Sequence, residues 1–346
     1  MRAVLYESFG GEPRVVDVAR PQAGDGDVVV QVLATGLCRS DLHAWAGHDP
    51  GIRLPHVPGH ELVGRIAERG AGVTELRVGQ RVTVPFVCAC GSCPECESGN
   101  GQVCRNQTQP GFTHWGSFAE YVLIRNAELN VIPVPDALDP GAAAILGCRF
   151  ATSFRGLVGQ AHVQADEWVV VVGCGGVGLS AVMIAAALGA RVIGVDVSGE
   201  ALALATASGA EHVIDSGGLT DAEVVAAVRD LTGGGAGVSV EALGRENTTA
   251  VAIRSLARRG RHVQIGLFSS DPRMPMAEII AGELTVLGSH GMAARHYPGM
   301  LDIIASGRLR PEELITRRIG LEEAPEAMID LANARNTAGV TLIVPG

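Results

Sequence analysis

Residues 168–178 read W168-V-V-V-V172-G-C-G-G-V-G178, and this stretch decides the fold. Five bulky apolar residues followed by glycines are typical of a fully buried parallel strand and a tight turn. The small residues of L179-S-A-V-M-I-A-A-A-L-G-A190 predict a helix, and V192-I-G-V-D196 predicts a second strand. A strand, a glycine turn, a helix and a strand in this order predict a dinucleotide-binding α/β unit.

The three glycines of this G-x-G-x-x-G motif have separate roles. Gly173 allows the turn, Gly175 lets a pyrophosphate approach the backbone, and Gly178 lets the helix pack on the strand. The N-terminus of the helix favours the anion. The motif alone is a weak signal, but here it lies between a strand and a helix, and an acidic residue, Asp196, stands eighteen residues beyond Gly178.

Asp196 indicates which nucleotide binds. Its carboxylate would accept hydrogen bonds from the adenosine ribose hydroxyls and repel the 2′-phosphate of NADP. The following V197-S-G-E-A-L202 contains no Arg or Lys that would bind such a phosphate. We therefore predict NAD, the alternative being that Asp196 is a solvated residue at a strand end.

Further apolar runs alternate with helical segments up to residue 288. With the two strands already described they give six strands and interleaved helices, which predicts a doubly wound parallel sheet. The additional predicted strands are 212–215, 238–243, 262–267 and 283–288, and the predicted helices include 220–231 and 247–256.

The N-terminal region has a different pattern. Residues 1–35 and 62–84 alternate short apolar runs with turn residues, which predicts an antiparallel β region. The tail beyond residue 290 carries two predicted helices and a final strand but no glycine motif. We predict a catalytic domain at 1–148 with a cysteine lobe at 88–104, a nucleotide-binding domain at 149–289, and a segment 290–346 that completes the catalytic domain.

Four cysteines, Cys90, Cys93, Cys96 and Cys104, follow one another within one compact lobe. Four thiolates can close a tetrahedral shell, which is the arrangement of a structural zinc site. Free or disulfide-paired cysteines are the alternative, disfavoured by the turn formers between them and by the absence of a secretory signal. Cys88 lies outside this spacing and is predicted to be structural.

Two stretches, G36-L-C-R-S-D-L-H43 and P58-G-H-E-L-V-G64, indicate a second metal site. Cys38 and His60 provide the thiolate and imidazole that Zn²⁺ prefers, and hydroxyl and imidazole groups between them can transfer protons. Either residue alone is more often a buried core residue. Together they predict a zinc enzyme.

Composition excludes several classes of partner. The 346 residues, 47% of them hydrophobic, are enough for two domains. A net charge of -10 without a basic block gives no support for a nucleic-acid or anionic-membrane partner. The first nine residues are too short and polar for a signal peptide, so we expect a cytoplasmic protein. The uncharged run 168–190 could span a bilayer by length, but its four glycines within six residues argue against this.

Over essentially the whole chain, these motifs resemble the zinc-dependent medium-chain alcohol dehydrogenases. The resemblance implies a GroES-like β-rich catalytic domain, a Rossmann coenzyme domain, two Zn²⁺ per subunit and NAD. It also implies reversible hydride transfer between an alcohol and NAD, giving an aldehyde or ketone, in a homodimer or homotetramer. The motifs are C38-R-S-D-L-H43, G59-H-E-L-V-G64 with Gly70 and Val73, the four-cysteine lobe, G147-C-R-F-A-T152, and G173-C-G-G-V-G178 with Asp196.

Position by position, the resemblance implies that Cys38, His60 and Cys148 bind the catalytic zinc. Glu61 is similar to a carboxylate that can approach the metal, and Asp41 to an acid that orients the imidazole of His60. The implied proton relay is formed by Ser40 and His43.

The resemblance also assigns residues to the cofactor and the substrate. Arg39 is similar to a pyrophosphate ligand, and Thr152 and Val177 to neighbours of the nicotinamide. Trp45, Phe86 and Trp115 resemble pocket-wall residues, with core packing as the alternative. The remaining predicted cofactor-binding residues are Gly173, Gly175, Gly176, Gly178, Asp196, Leu243, Gly266 and Leu267.

Two alternatives are weighed against this function. A zinc-free quinone or enoyl reductase of the same fold would lack Cys38, His60 and the four-cysteine lobe. A zinc-binding interaction protein would not need Ser40, His43 or the glycine motif. The substrate stays open among primary, secondary, polyol and aromatic alcohols, because small pocket differences change discrimination by about 1 to 3 kcal/mol.

Overall fold

The computed structural model describes residues 1–333 and 338–346. Within them the chain forms two compact units. Unit 1 comprises Met1–Ala151, Gly291–Ala305 and Arg310–Gly346, and unit 2 comprises Thr152–His290 and Ser306–Leu309. The domain boundaries predicted from the sequence lie after residues 148 and 289.

The secondary-structure elements are numbered in chain order. The strands are β1 (Arg2–Leu5), β2 (Arg14–Asp17), β3 (Val28–Gly36), β4 (Leu62–Arg69), β5 (Arg81–Thr83), β6 (Tyr121–Ile124), β7 (Ile132–Pro133), β8 (Trp168–Val172), β9 (Arg191–Asp196), β10 (His212–Asp215), β11 (Ala236–Glu241), β12 (Leu256–Gln264), β13 (Thr285–Gly288), β14 (Ile315–Gly320) and β15 (Val340–Val344). The α-helices are α1 (Arg39–Trp45), α2 (Pro94–Glu97), α3 (Ala127–Asn130), α4 (Pro140–Ile145), α5 (Ala151–Phe154), α6 (Gly176–Ala187), α7 (Gly199–Ala207), α8 (Asp221–Thr232), α9 (Glu246–Arg254), α10 (Met276–Gly282), α11 (Tyr297–Ala305) and α12 (Ala324–Ala332).

Unit 2 is built on a parallel sheet. Among the described residues its strand order is β10-β9-β8-β11-β12-β13, with β8 and β11 adjacent at the centre. From β8 the chain adds β9 and β10 toward one edge of the sheet. It then returns to the centre and adds β11, β12 and β13 toward the other edge, which is the doubly wound topology. Residues 169–172 of β8 are buried, as expected for a strand with both faces covered. The predicted six-stranded fold is therefore confirmed.

The turn between β8 and α6 shows why glycines stand there. Gly173 has φ +92°, in the left-handed region that favours glycine. A Cβ on Gly178 would lie 1.7 Å from the carbonyl oxygen of Gly173, so any larger residue would force the helix away from the strand. A Cβ on Gly175 would meet no heavy atom within 4 Å, so the backbone at this position is open.

Unit 1 is built on a mixed sheet with the order β14-β15-β3-β4-β5-β7, and β6 also pairs with β3. Strands β3 and β4 are antiparallel, and their apolar residues form a buried core with those of β5 and β6. The last strand, β15, pairs antiparallel with β3 through Leu342–Gly36 and Ile343–Thr35. The C-terminal tail thus joins the same sheet as the N-terminal region.

The structure differs from the sequence predictions in several places; the predicted strands 238–243 and 262–267, for example, end at Glu241 and Gln264. Strand β14 has no counterpart among the predicted strands, because the two adjacent arginines of I315-T-R-R-I-G320 interrupt the alternation of apolar and polar residues. The predicted strand 283–288 begins only at Thr285, since Glu283 has φ +47° and ends α10. The predicted helix from Cys148 to Leu157 contains two π-helical segments, Leu146–Phe150 and Arg155–Gln160, and π-turns are frequent at functional sites.

None of the helices in the described part of the chain combines the length and apolar character required to cross a membrane.

Candidate active site

Four metal-ligating side chains of unit 1 converge in the interior. One ligand atom from each of Cys38, His60, Glu61 and Cys148 lies within 4.8 Å of the ligand atoms of the other three. Cys38 precedes α1, His60 and Glu61 precede β4, and Cys148 lies in the first π-helical segment. All four residues are buried. The structure thus brings the three predicted zinc ligands and Glu61 together.

Asp41 fixes both Cys38 and His60. Its Oδ2 accepts the backbone N–H of Cys38 at 2.9 Å, which closes the first turn of α1. Its Oδ1 lies 2.9 Å from Nδ1 of His60 and accepts the N–H of Gly59 at 3.1 Å. Because a carboxylate only accepts hydrogen bonds, the proton of the neutral imidazole is on Nδ1. The lone pair of Nε2 then points away from Asp41.

The donor set fits a zinc ion. Nε2 of His60 is buried and, apart from the nearby Cys38 sulfur, has no hydrogen-bond partner within the described residues. An unpaired buried nitrogen is costly unless something outside the protein binds it. A hydrogen bond from Cys148 lowers the pKa of the Cys38 thiol well below its ordinary value. The same hydrogen bond, together with burial, raises the pKa of Cys148. Two cysteine sulfur atoms and an imidazole nitrogen provide the S₂N ligand set of a catalytic zinc site.

Arg149, which the sequence analysis did not single out, forms a buried ion pair with Glu61. Its Nη2 lies 2.6 Å from Oε2 of Glu61, and the side chains are 5% and 0% exposed. Its Nε and backbone N–H also donate to the Glu61 carboxylate. Arg149 could have been recognised from the sequence because it stands within the largely apolar run A142–F154, where burying a charge is costly unless the charge is paired.

Ser40 and His43 lie on α1, one helical turn apart. The Oγ of Ser40 is 3.7 Å from Sγ of Cys38, so the hydroxyl is next to the group of metal-ligating side chains. The ring centroid of His43 is 4.7 Å from that of His48. Burial, and next the proximity of His48, lower the pKa of His43, so that its imidazole is neutral near pH 7 and able to accept a proton.

Aromatic rings surround His60. The ring centroid of Phe86 is 6.1 Å from that of His60, and the ring of Phe112 is closer, at 5.1 Å. Phe112 was missed because no local motif marks it. The other two predicted pocket residues make contacts elsewhere: the Trp45 indole donates to the carbonyl of Gly11, and that of Trp115 to the carbonyl of Pro55.

The sulfur atoms of the four-cysteine lobe also converge. The Sγ of Cys93 lies 3.4 Å from that of Cys96 and 3.6 Å from that of Cys104, and Cys90 lies 4.0 Å from Cys96. These separations are too long for S–S bonds, and all four cysteines are free. Hydrogen bonds from Ser92 lower the pKa of Cys90 to about 6, whereas burial raises that of Cys104 to about 12. Four adjacent sulfur atoms match a closed tetrahedral zinc site.

Unit 2 contains the predicted cofactor residues. Asp196 at the end of β9 accepts the N–H of Cys174 in the glycine turn at 2.7 Å, so it ties the two strand ends together. Gly176 and Val177 begin α6, and the Val177 carbonyl accepts from Oγ of Ser153, next to Thr152. Arg39, by contrast, belongs to unit 1, on the first turn of α1, with an exposed side chain.

Buried Glu241, which the sequence analysis did not identify, organises the loops that follow β11 and β12. Its carboxylate accepts the backbone N–H groups of Leu243 and Gly244. Its own carbonyl accepts the N–H of Gly266, next to the exposed Leu267. The predicted cofactor residues Leu243, Gly266 and Leu267 thus follow the carboxyl ends of adjacent parallel strands, where nucleotides bind in such sheets.

Comparison with known proteins gives two family matches. Residues 24–136 match the alcohol dehydrogenase GroES-like domain, and residues 176–306 match the zinc-binding dehydrogenase domain. The chain is 34% identical over 329 residues to an alcohol dehydrogenase of Geobacillus stearothermophilus, covering 94% of each protein. It is 32% identical to an L-threonine 3-dehydrogenase of Streptomyces avermitilis, covering 97% of each. The solved structure of the alcohol dehydrogenase TADH from Thermus sp. ATN1 superposes with a TM-score of 0.90 at 31% identity, covering 99% of both chains.

Proposed function

The chain belongs to the zinc-dependent medium-chain alcohol dehydrogenase family, and on this premise we propose that it is an NAD-dependent enzyme that interconverts an alcohol and an aldehyde or ketone. The observation that carries the proposal is the convergence of Cys38, His60 and Cys148 within 4.8 Å of one another. In this proposal they hold the catalytic zinc through two thiolates and the Nε2 lone pair. Three protein ligands leave a fourth position for the substrate.

The chemistry divides between the bound groups and the protein. Zinc, when bound, would supply a Lewis acid that lowers the pKa of the substrate alcohol, and bound NAD would supply the hydride acceptor. Ser40 accepts the substrate proton on Oγ while its own hydroxyl proton moves on along the relay. His43, which is neutral near pH 7, takes a proton onward from the relay. Asp41 keeps the imidazole of His60 in the tautomer that leaves Nε2 free.

The preference for NAD rests on Asp196. Its negative charge at the end of β9 disfavours a 2′-phosphate, and no basic residue follows it in 197–202. Arg39, Thr152, Val177, Leu243, Gly266 and Leu267 are proposed to contact other parts of the dinucleotide.

The second zinc of the proposal is held by Cys90, Cys93, Cys96 and Cys104 and has a structural role. We place the enzyme in the cytoplasm, where reducing conditions keep these thiols available to the metal.

A homo-oligomer is also proposed, formed through the edge strand β13. This strand ends the sheet of unit 2, and its residues Thr285 and Val286 are exposed. An open edge with unpaired N–H and C=O groups can pair with the same edge of a second copy.

The surroundings of His60 favour an alcohol with an apolar chain or ring. Phe86 and Phe112 place aromatic rings beside the imidazole, and both side chains are buried. Apolar side chains around the substrate stabilise an apolar substituent, whereas hydroxyl or ammonium groups of a polar substrate would find no hydrogen-bond partner beside them. A panel that includes benzyl alcohol, a secondary alkanol, a polyol and L-threonine separates these classes, assayed in both directions with NAD and NADP.

The test of the metal site uses Cys148→Ala and His60→Ala, with Cys88→Ala as the matched control. Cys88 is also buried, but its thiol contacts the carbonyl of Pro85 and is not part of either cluster. We expect the first two variants to lose turnover, measured as NADH absorbance, together with about one zinc per chain. The control retains both zinc ions. Retained turnover in a metal-counted Cys148→Ala sample would refute the site.

A further inference from the structure

The side chain of Arg149, the residue after Cys148, contacts the sequence neighbours of the other two proposed zinc ligands. Its Nη2 donates to the carbonyl of Leu37, which precedes Cys38, at 2.7 Å. Its Nε lies 2.9 and 2.8 Å from the two carboxylate oxygens of Glu61, which follows His60. Arg149 itself follows Cys148. One guanidinium therefore joins the three separate segments that carry the ligands.

These segments have no local connection in the chain. Arg149 is 112 residues from Leu37 and 88 residues from Glu61. The packing around the junction is tight: a Cβ on Gly36 would lie 2.3 Å from Oε2 of Glu61 and 3.4 Å from Nη2 of Arg149. Glycine at position 36 thus allows β3 to approach the ion pair closely.

Arg149 makes more contacts than are needed to neutralise the charge of Glu61. A single ion pair would balance Glu61, whereas the bond to the Leu37 carbonyl balances no charge: it satisfies a buried N–H of the guanidinium and ties the segment before Cys38 to it. The guanidinium is planar and rigid, so three bonds from it fix the relative positions of their acceptors. An ammonium on a flexible chain could balance the charge without this constraint.

We infer that Arg149 is a positioning residue that holds the segments of Cys38, His60 and Cys148 in the arrangement that zinc requires, and so slows release of the catalytic metal. This inference rests on the proposed function, because it assumes a zinc ion at these ligands. Partners that orient metal ligands typically change metal affinity by about 10- to 100-fold when they are removed.

The test measures zinc release from the purified holoenzyme into a chromogenic chelator. Arg149→Lys retains the charge but lacks the planar fork. The double variant Glu61→Gln/Arg149→Met removes both charges, so no buried carboxylate is left unpaired or free to bind the metal, and it is compared with Glu61→Gln alone. Arg81→Met is the matched control, since Arg81 is also buried in unit 1 and donates to the carbonyls of Asp136 and Leu138.

Zinc release from the wild type should have two kinetic phases, one for each zinc ion. The phase that is missing in Cys148→Ala belongs to the catalytic zinc, and the remaining phase, from the zinc of the cysteine lobe, is an internal reference. We expect Arg149→Lys to release the catalytic zinc at least about 10-fold faster than the wild type. We expect a similar increase in the double variant relative to Glu61→Gln. The lobe zinc should leave at the same rate in all of these proteins, and Arg81→Met should match the wild type.

Three results would overturn the inference. If the double variant releases zinc as slowly as Glu61→Gln, Arg149 only neutralises Glu61. If Arg81→Met accelerates release equally, the effect is a general loss of stability. If the wild type holds no zinc that Cys148→Ala removes, the proposed function fails, and the inference fails with it.

Discussion

Oδ1 of Asp41 lies 2.9 Å from Nδ1 of His60, and both side chains are completely buried. The same carboxylate accepts the backbone N–H of Cys38, so one acidic residue orients two of the three proposed zinc ligands. Asp41 lies three residues after Cys38 and nineteen residues before His60. Its contact with Cys38 is therefore local, within the first turn of α1, whereas its contact with His60 is long-range.

Asp41→Asn tests this relationship. An amide can present its NH₂ group to the imidazole, which would favour the tautomer with the proton on Nε2 and leave no lone pair for zinc. We expect zinc affinity to fall by about 10- to 100-fold, measured by competition with a chelator. Asp136→Asn is the control, because Asp136 forms an exposed ion pair with Arg65. Wild-type affinity in Asp41→Asn would show that the hydrogen bond does not orient the ligand.

Cys93→Ser tests the lobe. Loss of one of four sulfur ligands should release the structural zinc while the catalytic zinc stays. Because metal binding at such a site contributes to folding, we expect the Tm to fall by more than about 5 °C in a calorimetric scan. Cys88→Ser, at a buried cysteine two residues before the first of the four proposed ligands, should retain both zinc ions. An unchanged zinc count in Cys93→Ser would contradict the structural site.

Asp196→Asn tests the nucleotide preference. The variant keeps an acceptor for the N–H of Cys174 but removes the charge that repels a 2′-phosphate. We expect the ratio of kcat/KM for NAD over NADP to fall at least about 10-fold. Asp215, at the end of β10 and in register with Asp196, provides the control Asp215→Asn. If both variants leave the ratio unchanged, Asp196 has no role in selecting the nucleotide.

His114→Gln tests a pH dependence of stability in unit 1. Burial lowers the pKa of His114 from 6.5 to about 4, and its Nε2 lies 3.0 Å from the carbonyl of Leu123. Below pH 6.5 the unfolded chain binds a proton that the folded chain does not, so the free energy of unfolding decreases as the pH falls toward 4. Above pH 6.5 this contribution is constant.

The expected size follows from the pKa difference. Between pH 7 and 5, the wild type should lose roughly 2 kcal/mol more stability than His114→Gln, whose amide can still donate to Leu123. Urea unfolding at the two pH values measures the difference, and His212→Gln, at a histidine whose side chain is 40% exposed, is the control. Equal losses in wild type and His114→Gln would mean that this histidine does not contribute.

The family assignment from sequence motifs is confirmed by relatives that match nearly the whole chain. The match to a zinc-binding dehydrogenase domain also argues against the zinc-free reductase and against an interaction protein without turnover. The motifs could identify the family because each is local: the glycine turn lies within six residues, and the four cysteines lie within fifteen. At such short range, spacing restricts the geometry that the backbone can adopt.

The amino-acid sequence by itself determined the strand, turn and helix around Gly173, the alternation of strands and helices in unit 2, and the composition of the cysteine lobe. Only the tertiary structure decided that Arg149 reaches both Leu37 and Glu61, that Phe112 lies beside His60, and that β14 joins β15. The physical reason is distance along the chain. Contacts between residues that lie from 25 to 112 positions apart depend on how strands pair and pack, and local periodicity carries no information about that pairing.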